Sequence, residues 1–125
     1  MNLTQVKNDI KQRKFAPVYI FTGDEIGVMD IYIQSMAKAS KKQVVRSDTF
    51  KNVFPNLTGR NMLSRGQCIY VIRDDKNVVD TEKVWEILKA GGWEDIVILI
   101  YTSLDKRTSF YKKHSDLICE FECLD

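Results

Sequence analysis

Two short stretches carry residues able to do chemistry. The first is "FTGDEIGVMD", residues 21–30, where two glycines, Gly23 and Gly27, follow an apolar run. A turn of this kind, between a strand and a helix, is where open α/β sheets most often hold phosphate. The phosphate loop needs GxxxxGK followed by Ser or Thr, with the lysine on the phosphates and the hydroxyl on Mg²⁺. Neither the lysine nor the hydroxyl is present here. Asp24 and Glu25 stand at the helix start instead, where carboxylates satisfy the helix dipole and repel a polyphosphate. Thr22 and Glu25 have the spacing of a capping box. No nucleophile or acid/base partner lies near the two acids in sequence. No catalytic residue, metal ligand or cofactor is therefore expected.

The second stretch is "LIYTSLDKRTSFYKKH", residues 99–114. Lys106, Arg107, Lys112 and Lys113 surround the Phe110–Tyr111 pair. Cations beside aromatics suit single-stranded nucleic acid, and they equally suit the wet end of a helix. His114 is the sole histidine, and the three cysteines, Cys68, Cys119 and Cys123, form no CxxC. A metal site lacks its ligand spacing, and His114 reads as a surface residue. An odd cysteine count speaks for a reducing compartment and a cytoplasmic protein. The thiols are expected to be buried, reduced and inert.

A third stretch, "NLTGRNMLSRGQCIYVI", holds Met62 and Leu63 side by side among polar residues, bounded by Gly59 and Gly66. Two adjacent large apolar residues do not share one core stripe. One reading buries one of them and exposes the other. A second reading makes them a contact pair for a partner.

The elements that must position these residues alternate along the chain. At 125 residues, 44% hydrophobic and 29% charged, the sequence fits one soluble globular domain. Its net charge of +2 carries no bulk argument for nucleic acid or membrane. The N-terminus has no signal core, and "IVILIY" is far too short to span a bilayer. A helix is expected over residues 3–13, with Leu3, Val6 and Ile10 on one stripe. The strand "PVYIF" follows, then a helix over 24–39, the strand "KQVVRSD" and a short or broken helix in "TFKNVFPNLT". After these come the strand "QCIYVI", a helix in "DTEKVWEILKAGG", the strand "DIVILIY", a short helix in "DKRTSFYKKH" and the strand "LICEFECL". Such alternation predicts a parallel sheet with helices on both faces. "VYIF" and "IVILIY" are apolar throughout, as strands covered on both faces are. "LICEFECL" alternates, with Glu120 and Glu122 on one side, and reads with "QVVRSD" as an edge strand.

"APVYIFTGDEIGVMDIYIQSM" followed by "SLDKRTSFYKK" resembles the N-terminal domain of the delta subunit of bacterial DNA polymerase III, or a phage-type relative. "LICEFECL" stands where that family places its fifth strand. The resemblance covers nearly the whole chain as a single domain, residues 1–125, without the family's lid and collar domains. It implies a three-layer AAA+ (P-loop NTPase type) fold, a five-stranded parallel sheet of order 5-1-4-3-2 with a degenerate nucleotide-binding loop. It also implies a clamp-loader role in DNA replication. Such a subunit binds the sliding clamp and helps open it, without ATPase activity of its own. The implied partners are the clamp, the other loader subunits and DNA within the complex, with no membrane. By position, Met62 and Leu63 match the family's clamp-binding pair, with Leu57 and Phe54 as fallbacks. "YTSLDKR" matches the segment where an AAA+ ATPase senses nucleotide. With no phosphate to sense, Asp105 is expected to cap the short helix, Lys106 and Arg107 to face Asp24 or Glu25 across the crevice, and Phe110 to pack inward. Lys112 and Lys113 then stay solvated, and all four cations stand as candidate DNA or crevice contacts.

Two other functions compete with this one. A degenerate nucleotide-binding hydrolase would bind nucleotide saturably. A standalone nucleic-acid-binding domain would bind DNA with a salt-dependent affinity.

Overall fold

The computed structural model describes residues 2–53, 68–75, 85–86, 95–104 and 107–121. Helix α1 (Leu3–Gln12) leads into strand β1 (Val18–Thr22), helix α2 (Ile26–Ser40) and strand β2 (Gln43–Ser47). Then come β3 (Cys68–Arg73), β4 (Ile96–Tyr101), the short helix α3 (Ser109–Lys113) and β5 (Ile118–Glu120). The chain is also helical at 50–53 and at 85–86. The sheet is parallel throughout, in the order β2-β3-β4-β1-β5. This is the expected order seen from the other face. Every residue of β1 and β4 is buried, and β2 and β5 form the edges.

Strand alternation divides the core into two layers. Tyr19 and Phe21 of β1, with Ile96, Ile98 and Ile100 of β4, face Val6 of α1 and Met29, Ile33 and Met36 of α2. Val18, Ile20, Val97, Leu99 and Tyr101 point the other way, toward Phe50, Val53 and Trp85. A fully buried side chain of this size contributes roughly 1.5–3 kcal/mol. Continuous apolar strands follow directly from having a layer on each side.

Local chemistry fixes the first helix. Asn2 caps α1 by accepting from the Gln5 amide at 3.0 Å, and the Gln5 side chain accepts from the Asn2 amide at 2.9 Å. Arg13 ends the helix in the left-handed conformation, φ 57°. The fully buried Tyr19 then ties helix to sheet. Its hydroxyl donates to Asp9 at 2.7 Å and accepts from the Ala16 amide at 3.0 Å. Burial, reinforced by the Asp9 carboxylate, pushes its pKa up.

Four expectations are corrected here. Thr22 and Glu25 form no capping box: Thr22 is the last residue of β1, and α2 begins at Ile26 behind Glu25, which makes no side-chain cap. Thr22 pairs with strands on both sides, so its backbone belongs to the sheet and not to a helix start. His114 is buried, at 6% exposure, and not a surface residue. The short helix is capped by Thr108, which accepts from the Tyr111 amide at 3.2 Å, and not by Asp105. Glu120 is half-buried, because the Tyr111 hydroxyl of α3 donates to its carboxylate. The edge position of β5 stands, although its outward side is roofed by α3.

Candidate functional site

The carboxyl ends of β1, β3 and β4 form the rim where an α/β sheet places its ligands. The turn after β1 is closed by the chain leaving β5. The Phe121 amide donates to the Thr22 carbonyl at 2.7 Å, and the Glu25 amide donates to the Phe121 carbonyl at 3.1 Å. Gly23, with φ 126°, lets the turn lie flat against that backbone. A Cβ at Gly23 would stand 2.2 Å from the Phe121 oxygen. A phosphate loop turns its amides inward to a ligand. Here the Glu25 amide is already bonded, and a carbonyl oxygen occupies the approach. Asp24 is exposed at the same turn.

Two acids at the end of β3, not singled out by the sequence reading, complete this rim. Asp74 takes a left-handed conformation, φ 55°, and its amide donates to the Ile100 carbonyl at 2.7 Å. Its carboxylate accepts from the Thr102 amide at 3.0 Å and from the Thr102 hydroxyl at 3.2 Å. Asp75 is buried. Its carboxylate accepts from the Phe50 amide at 2.7 Å, and its carbonyl accepts from the Tyr101 hydroxyl at 2.8 Å. The pair thus holds the exits of β3 and β4 and the start of the helical residues 50–53. Adjacent acids directly after an apolar strand were the visible signal. Among the described residues, no three His, Cys, Asp or Glu side chains gather to hold a metal.

The basic stretch docks through its apolar side. Phe110 packs near Trp85, with ring centroids 5.3 Å apart, and His114 stacks on Trp85 at 4.5 Å with the planes 29° apart. Tyr101 meets the edge of Phe110 at 6.0 Å. Arg107, Lys112 and Lys113 are exposed around this pile. Phe110 packs inward as expected. Lys106 and Asp105 lie outside the described residues. So do Phe54, Leu57, Met62 and Leu63. Of the cysteines, Cys119 is fully buried and Cys68 half-buried, and Cys123 lies outside the described residues. Burial pushes the Cys119 thiol up to about 11, so it is inert near neutrality.

No protein-family model matches the chain, and no curated protein matches it. A solved structure does. The DNA clamp loader delta protein (YqeN) of Bacillus subtilis aligns with 98% of this chain at a TM-score of 0.72 and 12% identity. The chain has a clamp-loader-like fold. It spans 43% of the length of that protein. At this identity the likeness is one of fold alone. No helix among the described residues is long and apolar enough to cross a membrane.

Proposed function

We propose that this chain is a clamp-loader domain of delta type, which grips the sliding clamp in DNA replication without hydrolysing ATP. The observation that carries the reading is a clamp-loader-like fold whose phosphate turn is closed by its own backbone at Phe121. The missing lysine and hydroxyl and the acidic Asp24–Glu25 pair support it from the sequence side. In this reading Met62 and Leu63 form the clamp-binding plug. The other loader subunits are its partners in the assembly, and the cytoplasm is its compartment. The test has two arms. The chain should co-elute with the sliding clamp of its source organism, and a calorimetric titration with MgATP should give no saturable heat. Micromolar, Mg²⁺-dependent ATP binding would replace this reading with the nucleotide-binding one. Absence of any clamp complex would remove the clamp-loader role.

A further inference from the structure

The net charge of +2 hides a local excess of positive charge on one face of the sheet. Helices α1 and α2 lie side by side on that face, over Tyr19, Phe21 and the facing residues of β4. Each ends where a strand begins: five residues separate Gln12 from β1, and two separate Ser40 from β2. Lys7, Lys11, Arg13 and Lys14 are exposed on the first helix and its end, as are Lys38 and Lys41 on the second. The axes of packed helices lie about 8–10 Å apart, so the two groups form one patch, wholly within residues 7–41. The acids of the two helices, Asp9 and Asp30, are engaged elsewhere. Asp9 accepts from the buried Tyr19 hydroxyl, and Asp30 accepts from Arg46 at 2.9 Å. Among the described residues, no acid stands within ion-pairing distance of the six cations.

Ordinary helix chemistry explains part of the patch. A cation in the last turn complements the helix dipole, which accounts for Lys11 and Lys38. It does not account for Lys7, a turn earlier, or for the caps. Both helices end in a left-handed residue, a position that glycine fills best. Arg13 stands there at φ 57° and Lys41 at φ 59°. A cation is thus kept at each end against the backbone preference.

The surroundings of these cations select the occupant. Lysine is depleted in protein–protein interfaces, whose centres are apolar and aromatic. Here Ile31 is the one large apolar side chain exposed among the described residues, which also leaves little to insert into a membrane. Single strands are held on aromatic platforms. Residues 2–14 contain no aromatic, and Tyr32 of α2 packs on Phe121. Asn8, Gln12 and Gln34 are exposed neutral donors among the cations. That mixture suits phosphate oxygens, which are contacted without reading the bases. We propose that the paired C-terminal ends of α1 and α2 bind the phosphate backbone of duplex DNA. The proposal uses neither residue of the clamp-binding pair, and only its choice of DNA over duplex RNA rests on the replication reading.

The experiment is fluorescence anisotropy of the 125-residue chain with a labelled DNA duplex of about 20 base pairs, from about 50 to about 200 mM NaCl. With about four phosphates engaged, binding weakens about a hundredfold over that range. Arg13→Gly and Lys41→Gly are combined in the first variant. Glycine suits both left-handed positions, so the melting temperature should hold or rise. Affinity at low salt should fall about tenfold, and the slope of log affinity against log salt should flatten by about two. Lys7→Gln, Lys11→Gln, Lys14→Gln and Lys38→Gln form a second variant, which leaves both caps in place and should flatten the slope likewise; it decides the matter if the glycine variant melts early. Affinity and slope equal to the parent's in both variants overturn the proposal, as does a parent that binds no duplex at low salt. A duplex RNA, an oligo-dT strand and phosphatidylserine vesicles form the second arm. Tighter binding to any of these than to the DNA duplex, lost in the same variants, overturns duplex DNA as the occupant. None of these readouts involves the clamp, so their failure leaves the clamp-binding reading standing, and failure to co-elute with the clamp leaves DNA binding by this surface standing.

Discussion

Gly23 is the residue on which the closed turn depends. Its φ of 126° excludes most side chains, and any Cβ would strike the Phe121 carbonyl. Gly23→Ala should therefore destabilise the domain by about 2–4 kcal/mol, from backbone strain and the displaced Phe121 contacts. A urea titration of the variant measures this. An unchanged midpoint would mean that the turn and Phe121 are not clamped together. The residue scale also contains what a local pattern could not reveal. Thr22 and Glu25 have capping-box spacing, but the Thr22 backbone is already paired in the sheet. His114 lies in a cage built from Trp85 and Phe110, with Trp85 far away in sequence. Its burial depends on which helices meet, and spacing along one helix carries no trace of that.

At the scale of elements, the sheet was the legible part. β1 and β4 announced themselves by unbroken apolar runs, because a strand with a layer on each face has no polar side. β2, with Gln43 and Arg46 exposed, looked like the edge it is. The boundaries of β5 were less legible: its polar face is roofed by Tyr111 of α3, a contact between elements. The candidate site divides likewise. The missing phosphate loop could be read from residue types, whereas its closure by Phe121 required the tertiary fold. The segment preceding β3 is the element expected to carry clamp affinity. Replacing Met62 and Leu63 together by alanine should weaken clamp binding by about 3–6 kcal/mol, since a few buried apolar anchors dominate an interface. The melting temperature should hold. A collapse in melting temperature would assign the pair to the core, where each truncation costs about 2–5 kcal/mol. If both affinity and stability are unchanged, Phe54 or Leu57 becomes the next pair to test.

The whole molecule should respond to alkali. Cys119, Tyr19 and Tyr70 are all buried acids that are neutral at pH 7, and burial is the largest cause raising each pKa. Raised folded-state values mean that the native protein holds its protons longer than the unfolded chain does. Their stabilising effect is complete below the unfolded values and is lost as pH climbs through the folded ones. For Cys119 the window runs from 9.0 to about 11. Across it about 2–3 kcal/mol should disappear, with the tyrosines adding their share above pH 10. Urea midpoints at pH 8 and pH 10.5 measure the slope, and Cys119→Ala should reduce it. A midpoint independent of pH up to 11 would contradict the burial of these groups.

The pairing of β1 with β4 joins Val18 to Val97, and that of β1 with β5 joins Ile20 to Ile118. A ribosome therefore releases "VYIF" long before either of its neighbours exists. Until residue 97 has emerged, the most apolar early segment of the protein has no strand to pair with. Contacts this distant in sequence make folding slow and leave the nascent chain prone to association. The parallel order that buries β1 on both flanks thus leaves its apolar run without a partner until β4 and β5 leave the exit tunnel.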